Sequence, residues 1–232
     1  MDRYVIVGAS LAGAKAAETL RGEGFDGEVV LIGEEVEAPY ERPPLSKGYL
    51  LGSEERDNAF VHEEKWYSEH SIELRLGVRA TMLDAAARVL TLDGGDELGY
   101  DKLLLATGSR VRRLDVPGAD LHGVRYLRTV DESDELRAGF VDGANVVVIG
   151  AGWIGMETAA AARQHGGRVT VVEMDSLPLR RVLGDEVARV FADLHTAHGV
   201  EFRLSSGVRE ITGSGPQGSG VRLADGSELP AD

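Results

Sequence analysis

The sequence predicts an α/β protein built from two copies of one strand–turn–helix–strand unit. Each copy opens with a β-rich run, residues 4–7 and Asn145–Ile149, that leads directly into a glycine-rich turn. Alanine-rich sequence at helical spacing follows each turn, and a second apolar run follows each helix. An acidic residue ends each copy, Glu34 in the first and Glu173 in the second. Because a duplicated unit fixes the architecture before any local assignment, two Rossmann-like units are expected.

The two turns differ at one glycine position. The first spans residues 8–13 and reads GASLAG, whereas the second spans residues 150–155 and reads GAGWIG. In a dinucleotide-binding turn, the first glycine permits the bend, the second lets the backbone approach a pyrophosphate, and the third lets the helix pack on the strand. The second turn therefore predicts a dinucleotide site at a helix N-terminus. Ser10 replaces the second glycine of the first turn, so a second dinucleotide site and a duplicated unit without ligand both stay open there.

The acids that end the two copies lie at the spacing of residues that bind a ribose. Glu34 lies 26 residues after Gly8, and Glu173 lies 23 residues after Gly150. A carboxylate about 20 residues beyond the first glycine accepts hydrogen bonds from a ribose hydroxyl. Two such sites in one chain favour a pair of redox cofactors over a dehydrogenase with a single coenzyme.

Composition excludes several classes of function. The chain has 25 Lys and Arg residues against 39 Asp and Glu, and a net charge of −14 argues against a nucleic-acid partner. Because it has no cysteine, it has no disulfide, no cysteine-ligated zinc or iron–sulfur cluster and no thiol chemistry of its own. Redox chemistry therefore needs a bound cofactor. The apolar runs are shorter than the roughly 20 residues of a membrane span. With no secretion signal at the N-terminus, a cytoplasmic location away from membranes is expected.

The segments between the repeats read mostly as loop and short strands. Residues 39–47, PYERPPLSK, are expected to form a rigid loop because adjacent prolines remove hydrogen-bond donors, with Ser46 as a helix cap. Short strands are expected between residues 72 and 105, ending in a buried strand at 102–105. Further short strands with glycine- and serine-rich turns are expected after residue 207.

A second amphipathic helix is predicted over residues 185–198. Its apolar side would consist of Val187, Val190, Phe191 and Leu194. His195 and His198 near its end have an ordinary explanation in the helix dipole, so no metal site is predicted. Trp153, inside the second glycine turn, either stacks on a bound cofactor or packs the turn.

Five segments of the chain resemble one protein family. They are GASLAG at 8–13, YERPPLSK at 40–47, ATG at 106–108, YLRT at 126–129 and GAGWIGME at 150–157. Together they resemble the FAD- and NAD-dependent ferredoxin reductases whose fold is similar to that of glutathione reductase. The RPPLSK string is the most specific of the five, because it separates this branch from disulfide reductases, which need a redox cysteine.

The resemblance implies a fold class and a division of the chain. The fold would be α/β with two Rossmann-like units of the glutathione-reductase type. Residues 1–109 would be the first segment of an FAD-binding domain, and residues 110–232 an NAD-binding domain, with an arginine-rich crossing at 109–113. The family's C-terminal part, with the last strand of the NAD unit and the segment that closes the FAD site, is expected to be absent. This chain alone is therefore expected to retain little FAD and to be inactive.

The resemblance also implies which residues bind the cofactors. Lys47 would reach the flavin and Glu157 would sit by the nicotinamide, where the two could pair as catalytic residues. The FAD-binding set would be Gly8, Ser10, Ala12, Gly13, Glu34, Arg42, Pro43, Lys47, Ala80 at the adenine, Thr107, Gly108 and Arg128 at the phosphates. The NAD-binding set would be Gly150, Gly152, Ile154 and Gly155 at the pyrophosphate, Glu173 at the ribose and Arg181 near the adenine.

The activity implied by the resemblance is electron transfer from NADH to a protein. NADH would deliver a hydride to FAD, and the reduced flavin would return electrons one at a time to a small iron–sulfur ferredoxin that serves an oxygenase. Two alternatives stay open: an NADH oxidase or quinone reductase of the same fold, and a redox-sensing nucleotide-binding interaction module. No oligomeric state is predicted.

Overall fold

The structure, a computed structural model, describes all 232 residues and divides them into two compact units. Unit 1 consists of Met1–Glu41 and Arg56–Arg110, and unit 2 of Arg42–Glu55 and Val111–Asp232. The third crossing between the units, after Arg110, lies one residue from the 109/110 boundary expected from the sequence. The segment Arg42–Glu55 groups with unit 2, although it lies inside the expected 1–109 domain.

The regular elements alternate strand and helix at the start of each unit. In chain order they are β1 (Arg3–Val7), α1 (Leu11–Gly22), β2 (Glu28–Ile32), a 3₁₀ helix (Pro43–Ser46), α2 (Gly48–Leu51), a second 3₁₀ helix (Arg56–Ala59), α3 (Glu64–Glu69), β3 (Ile72–Arg75), β4 (Ala80–Asp84), β5 (Val89–Leu92), β6 (Glu97–Gly99), β7 (Lys102–Leu105), α4 (Val130–Gly139), β8 (Asn145–Ile149), α5 (Trp153–Gln164), β9 (Arg168–Val172), α6 (Arg180–Ala197), β10 (Val200–Arg203), β11 (Val208–Ser214), β12 (Gln217–Leu223) and β13 (Glu228–Pro230).

A parallel sheet of order β3-β2-β1-β7 forms the centre of unit 1. Side chains alternate between its faces, as the strand period requires. Ile6 and Leu31 are buried on the face that α1 covers, with Tyr67 of α3. Val5 and Val30 are buried on the opposite face against the antiparallel sheet β4-β5-β6. Both faces of the central strands are therefore covered, which explains their continuous apolar sequence.

Unit 2 repeats this plan with a shorter sheet. Its parallel strands have the order β10-β9-β8, and the antiparallel sheet β11-β12-β13 covers one face. Val171 is buried with Met156 and Ala159 of α5 on one face, and Val172 is buried with Leu223 on the other. The duplication read from the sequence is therefore present as two similar layered units.

Three aromatic rings are stacked on one another in and next to α3. The Trp66 ring lies between His62, at 3.9 Å between centroids, and His70, at 4.0 Å. Tyr67 packs edge-on against both Trp66 and His62, and its burial raises the pKa of its phenol above the ordinary value. Neither α3 nor α4 was predicted, because both are short and have weak apolar periodicity.

The strand at 102–105 is present, but the expectation that it is buried was wrong. Leu104 is 43% exposed and Leu105 is 58% exposed. The reason is that β7 lies at the edge of the parallel sheet and pairs only with β1. An apolar run of four residues cannot by itself distinguish a central strand from an edge strand.

Helix α6 begins at Arg180, five residues before its predicted start, and bends where Gly184 adopts a φ of 73°. Ala188 is buried, whereas Val187, Val190 and Leu194 are exposed. The apolar side predicted for this helix therefore faces solvent for the most part. None of the helices combines the length and the apolar character needed to cross a membrane.

The third glycine of each turn is required by a close approach of helix to strand. A Cβ atom on Gly13 would lie 2.0 Å from the carbonyl oxygen of Gly8, and one on Gly155 would lie 2.0 Å from that of Gly150. Both obstructing atoms belong to the backbone, so a larger residue forces the helix away from the turn. The predicted packing role of the third glycine is therefore confirmed in both copies.

We expect Gly13→Ala to lower the free energy of unfolding by about 3 kcal/mol, at the upper end of overpacking costs, because the clash is with backbone. Gly22→Ala, in the same helix, is the matched control: its Cβ meets open space. The control should leave the free energy of unfolding unchanged or raise it by up to about 0.5 kcal/mol. Urea unfolding followed by circular dichroism measures both, and equal midpoints for the two variants would contradict the packing argument.

Candidate functional site

The glycine turn of unit 2 ends at an uncapped helix N-terminus. Gly152 is the N-cap residue of α5, and no side chain accepts a hydrogen bond from the first helical turn. A Cβ atom built on Gly150 or on Gly152 meets no atom within 4 Å. Protein packing therefore does not fill the space next to the turn, and the helix end is available to an anion. Both features fit a pyrophosphate.

Glu173 is fixed beside this turn by the backbone. One carboxylate oxygen accepts a hydrogen bond from Ala151 N–H at 2.7 Å, and the other accepts one from Asp175 N–H at 2.8 Å. The side chain follows β9 and is half-buried. Because an ionised carboxylate has about four acceptor sites, it keeps capacity for ribose hydroxyls. The structure thus brings together the predicted residues Gly150, Gly152 and Glu173.

Arg181, predicted near the adenine, forms an ion pair with Asp175. Its Nε lies 2.7 Å and its Nη2 3.4 Å from the two carboxylate oxygens. The hydrogen bonds to Asp175 raise the pKa of the Arg181 guanidinium, and the charge of Glu173 adds to this. Arg181 and Glu173 therefore share one electrostatic environment at the start of α6.

The glycine turn of unit 1 also ends at an uncapped helix N-terminus. Ser10 occupies the N-cap position of α1, but its hydroxyl does not cap the helix. It donates instead to the carbonyl oxygen of Tyr40 at 3.1 Å. Ala12, in the first turn of α1, is exposed. Turning the hydroxyl away leaves the helix end accessible, so serine at the second position is compatible with an anion site.

The other predicted residues of unit 1 lie around this turn. Glu34 forms an ion pair with Arg79, the residue that precedes Ala80 at the start of β4. A Cβ atom built on Gly8 would lie 3.1 Å from the backbone nitrogen of Thr107. The segment after β7 therefore adjoins the glycine turn. Gly108 follows Thr107, with a φ of 65°. These positions lie at the carboxyl ends of the parallel strands, where open α/β sheets bind ligands.

Lys47 and Glu157 form an ion pair within unit 2. The Nζ atom of Lys47 lies 2.9 Å from one carboxylate oxygen of Glu157 and 3.0 Å from the other. The Ser46 hydroxyl donates to the same carboxylate at 2.5 Å. Ser46 is the buried last residue of the 3₁₀ helix, and Lys47 is the N-cap residue of α2, so the prediction that Ser46 caps a helix was wrong. The expected pairing of Lys47 with Glu157 is present, and Ser46 is an additional member that sequence reasoning missed.

Three more predicted FAD-binding residues also lie in unit 2: Arg42 and Pro43 of the proline-rich segment at residues 39–47, and Arg128. Arg42 donates from Nη1 to the carbonyl oxygen of Arg128 at 2.8 Å, and Pro43 begins the 3₁₀ helix. Arg128 N–H donates to Glu132 at 2.6 Å, next to the capping box in which Thr129 and Glu132 exchange hydrogen bonds at the start of α4. These contacts hold the 3₁₀ helix against α4.

The aromatic and histidine residues near the second turn have packing roles. Trp153 is 45% exposed and meets Phe191 edge-on at 5.8 Å between centroids, while Ile154 is exposed beside it. His195 directs its ring nitrogens at the carbonyl oxygens of Phe191 and Met156, at 3.0 and 3.3 Å. These contacts tie α6 to α5, in keeping with a structural histidine.

Comparison with known proteins agrees with this geometry. A family model described as pyridine nucleotide-disulphide oxidoreductase matches residues 2–232. Rhodocoxin reductase of Rhodococcus erythropolis is 42% identical over 228 residues, which are 98% of this chain and 53% of that protein. The ferredoxin–NAD(+) reductase component of the anthranilate 1,2-dioxygenase system of Burkholderia cepacia is 42% identical, over 100% of this chain and 57% of that protein.

A solved structure gives the same result. The covalent putidaredoxin reductase–putidaredoxin complex matches with a TM-score of 0.97 at 34% identity, covering 100% of this chain and 57% of that one. The predicted α/β fold class with two Rossmann-like units is therefore confirmed. The chain spans about half the length of the curated relatives it matches.

We expect Ser46→Ala to destabilise unit 2 by about 1.5–3 kcal/mol, because a buried hydroxyl that donates to a charged group is lost. Ser53→Ala is the matched control, since the Ser53 hydroxyl is exposed and donates to a neutral carbonyl oxygen at 3.2 Å. The control should cost less than about 0.5 kcal/mol. Thermal unfolding of both variants measures the difference in stability. Equal losses of stability would show that the Ser46–Glu157 hydrogen bond contributes no more than the exposed Ser53 hydrogen bond.

Proposed function

Because the chain belongs to the pyridine nucleotide-disulphide oxidoreductase family, we propose that it forms the FAD- and NAD-binding part of a flavoprotein reductase. The enzyme passes electrons from NADH through FAD to a small iron–sulfur ferredoxin that serves an oxygenase. The observation that carries the proposal is the pair of uncapped helix N-termini, each at a glycine turn with an acid nearby. Two dinucleotide sites in one chain fit two redox cofactors.

The proposed electron acceptor is a separate protein, because the chain has no cysteine that could accept electrons from the flavin. The family takes its name from disulphide chemistry, yet this chain contains no cysteine and cannot supply a dithiol. Electrons that reach the flavin must therefore pass to a group outside the chain. The Burkholderia cepacia relative is named as a ferredoxin–NAD(+) reductase component, and putidaredoxin reductase is solved in covalent complex with putidaredoxin. This favours a ferredoxin over oxygen or a quinone.

Each unit has its own part in the proposal. Unit 1 binds FAD with Gly8, Ser10, Ala12 and Gly13 at the pyrophosphate, Glu34 at the ribose, and Ala80, Thr107 and Gly108 around the turn. Unit 2 binds NAD with Gly150, Gly152, Ile154 and Gly155 at the pyrophosphate, Glu173 at the ribose and Arg181 near the adenine. A protein that draws on the NADH of the cell interior belongs in the cytoplasm, and we include that location in the proposal.

The proline-rich segment supplies the residues that act on the redox step. Arg42 and Pro43 would bind FAD together with Lys47, whose ammonium group would reach the flavin, and Arg128 would approach the FAD phosphates. A bound flavin supplies the conversion of a two-electron donor into single-electron steps. The Lys47 charge stabilises an electron-rich ring, and Glu157 lowers the cost of keeping that charge partly desolvated. Ser46 and Lys47 together fix the orientation of the Glu157 carboxylate.

The proposal is tested with the FAD-loaded protein under anaerobic conditions. Adding NADH should bleach the flavin absorbance, and adding an oxidised ferredoxin should restore it. NADPH should be a poorer donor, because Glu173 binds the ribose hydroxyls and repels a 2′-phosphate. Glu173→Gln should reduce the ratio of kcat/KM for NADH over NADPH, whereas Glu201→Gln on the exposed side of β10 should leave it unchanged. Bound flavin that NADH does not reduce, in a protein that also contains the segment closing the FAD site, would refute the function.

Lys47→Ala should slow flavin reduction by NADH more than it weakens NADH binding, because the charge acts mainly on the electron-rich state. Stopped-flow absorbance separates the two quantities. Lys65→Ala is the control, since Lys65 is an exposed lysine that likewise pairs with a glutamate. An unchanged reduction rate in Lys47→Ala would remove Lys47 from the reactive site and leave it a loop residue.

A further inference from the structure

The acidic loop between β9 and α6 contains a second carboxylate that the nucleotide motif does not include. Asp175 lies two residues beyond Glu173 and is bound on both sides: its backbone N–H donates to Glu173 at 2.8 Å, and its side chain holds Arg181 through two nitrogens. Glu173 is in turn bound to Ala151 N–H in the glycine turn. A continuous chain of contacts therefore connects the Arg181 guanidinium to the pyrophosphate turn.

We propose that Asp175 is a specificity-determining residue, which holds the Arg181 guanidinium and so keeps it from binding the 2′-phosphate of NADPH. This inference rests on the NAD site proposed for unit 2. It goes further by assigning part of the discrimination to a residue outside the glycine motif and its acid.

The exposure of the two partners supports this role. The side chain of Arg181 is 79% exposed, so its charge is accessible to a ligand in solution. That of Asp175 is only 26% exposed, and its backbone is tied to Glu173, so the carboxylate stays in one place. A guanidinium presents a planar fork of donors that binds either a carboxylate or a phosphate with two hydrogen bonds. Asp175 therefore occupies the donors that a phosphate would otherwise use.

The neighbouring Arg180 also pairs with an aspartate, so an ion pair with an arginine does not by itself make an aspartate a specificity-determining residue. Arg180 also holds an aspartate, with its Nε 2.6 Å from Asp185. The hydrogen-bond partner of the Asp185 carboxylate is Arg180, whereas Asp175 also has a direct hydrogen bond to Glu173. The two pairs have the same chemistry and lie on consecutive arginines. They provide a comparison between an aspartate that is hydrogen-bonded to Glu173 and one that is not, while the charge of Asp175 also acts on Arg180.

The experiment compares the binding of ADP-ribose and of its 2′-phosphate by calorimetry, using Asp175→Asn and, as control, Asp185→Asn. Removing the Asp175 charge should tighten binding of the 2′-phosphate about tenfold, or about 1.4 kcal/mol, with ADP-ribose little changed. Asp185→Asn should change neither dissociation constant. Adding Arg181→Gln to Asp175→Asn should abolish the gain, because the released guanidinium is then gone.

Two outcomes overturn the inference in distinguishable ways. If wild type binds ADP-ribose but Asp175→Asn leaves the ratio of the two dissociation constants unchanged, or the gain survives Arg181→Gln, Asp175 does not restrain Arg181. The NAD site would stand in that case. If wild type does not bind ADP-ribose at all, the proposed NAD site fails and the inference fails with it. Thermal unfolding of each variant confirms that binding is compared between folded proteins.

Discussion

The contact between the third glycine of each turn and the carbonyl oxygen of the first glycine holds each unit's helix against its central strand. At Gly13 and at Gly155 the space for a Cβ atom is already taken by backbone. The helix N-terminus is thereby brought to the carboxyl end of the sheet, with its N–H groups directed outward and no side chain capping them. The covered sheets and the position of both acids follow from this approach.

The two copies position their acids by different physical means. Glu173 is fixed by two backbone N–H groups, whose positions are set by the fold itself. Glu34 is fixed by the side chain of Arg79, and both partners are well exposed. An exposed ion pair contributes little and weakens with salt, whereas hydrogen bonds from backbone groups to a carboxylate persist. The acid of unit 2 is therefore the more rigid of the two, and that of unit 1 more readily changes partner.

The sequence predicts those features of the fold and the candidate site that depend on residues close together in the chain. The glycine turns, the helices after them and the acids at the strand ends are each defined within a few residues, and they were identified. Ser46 is predicted to cap a helix because serine favours that position, whereas its actual partner, Glu157, lies 111 residues away in sequence and leaves no local signal. The exposure of Leu105 could not be read from its apolar run, since strand order decides it. The Asp175–Arg181 pair depends on a loop geometry that residue spacing does not specify.

The placement of the two tryptophans gives each unit its own optical reporter. Trp66 of unit 1 is stacked between His62 and His70, so both faces of its indole ring are covered by imidazole rings. Trp153 of unit 2 is half-exposed beside the glycine turn, where its indole ring is open to solvent. Emission from one polypeptide therefore carries two separable signals, one from an indole covered on both faces and the other from an indole open to solvent.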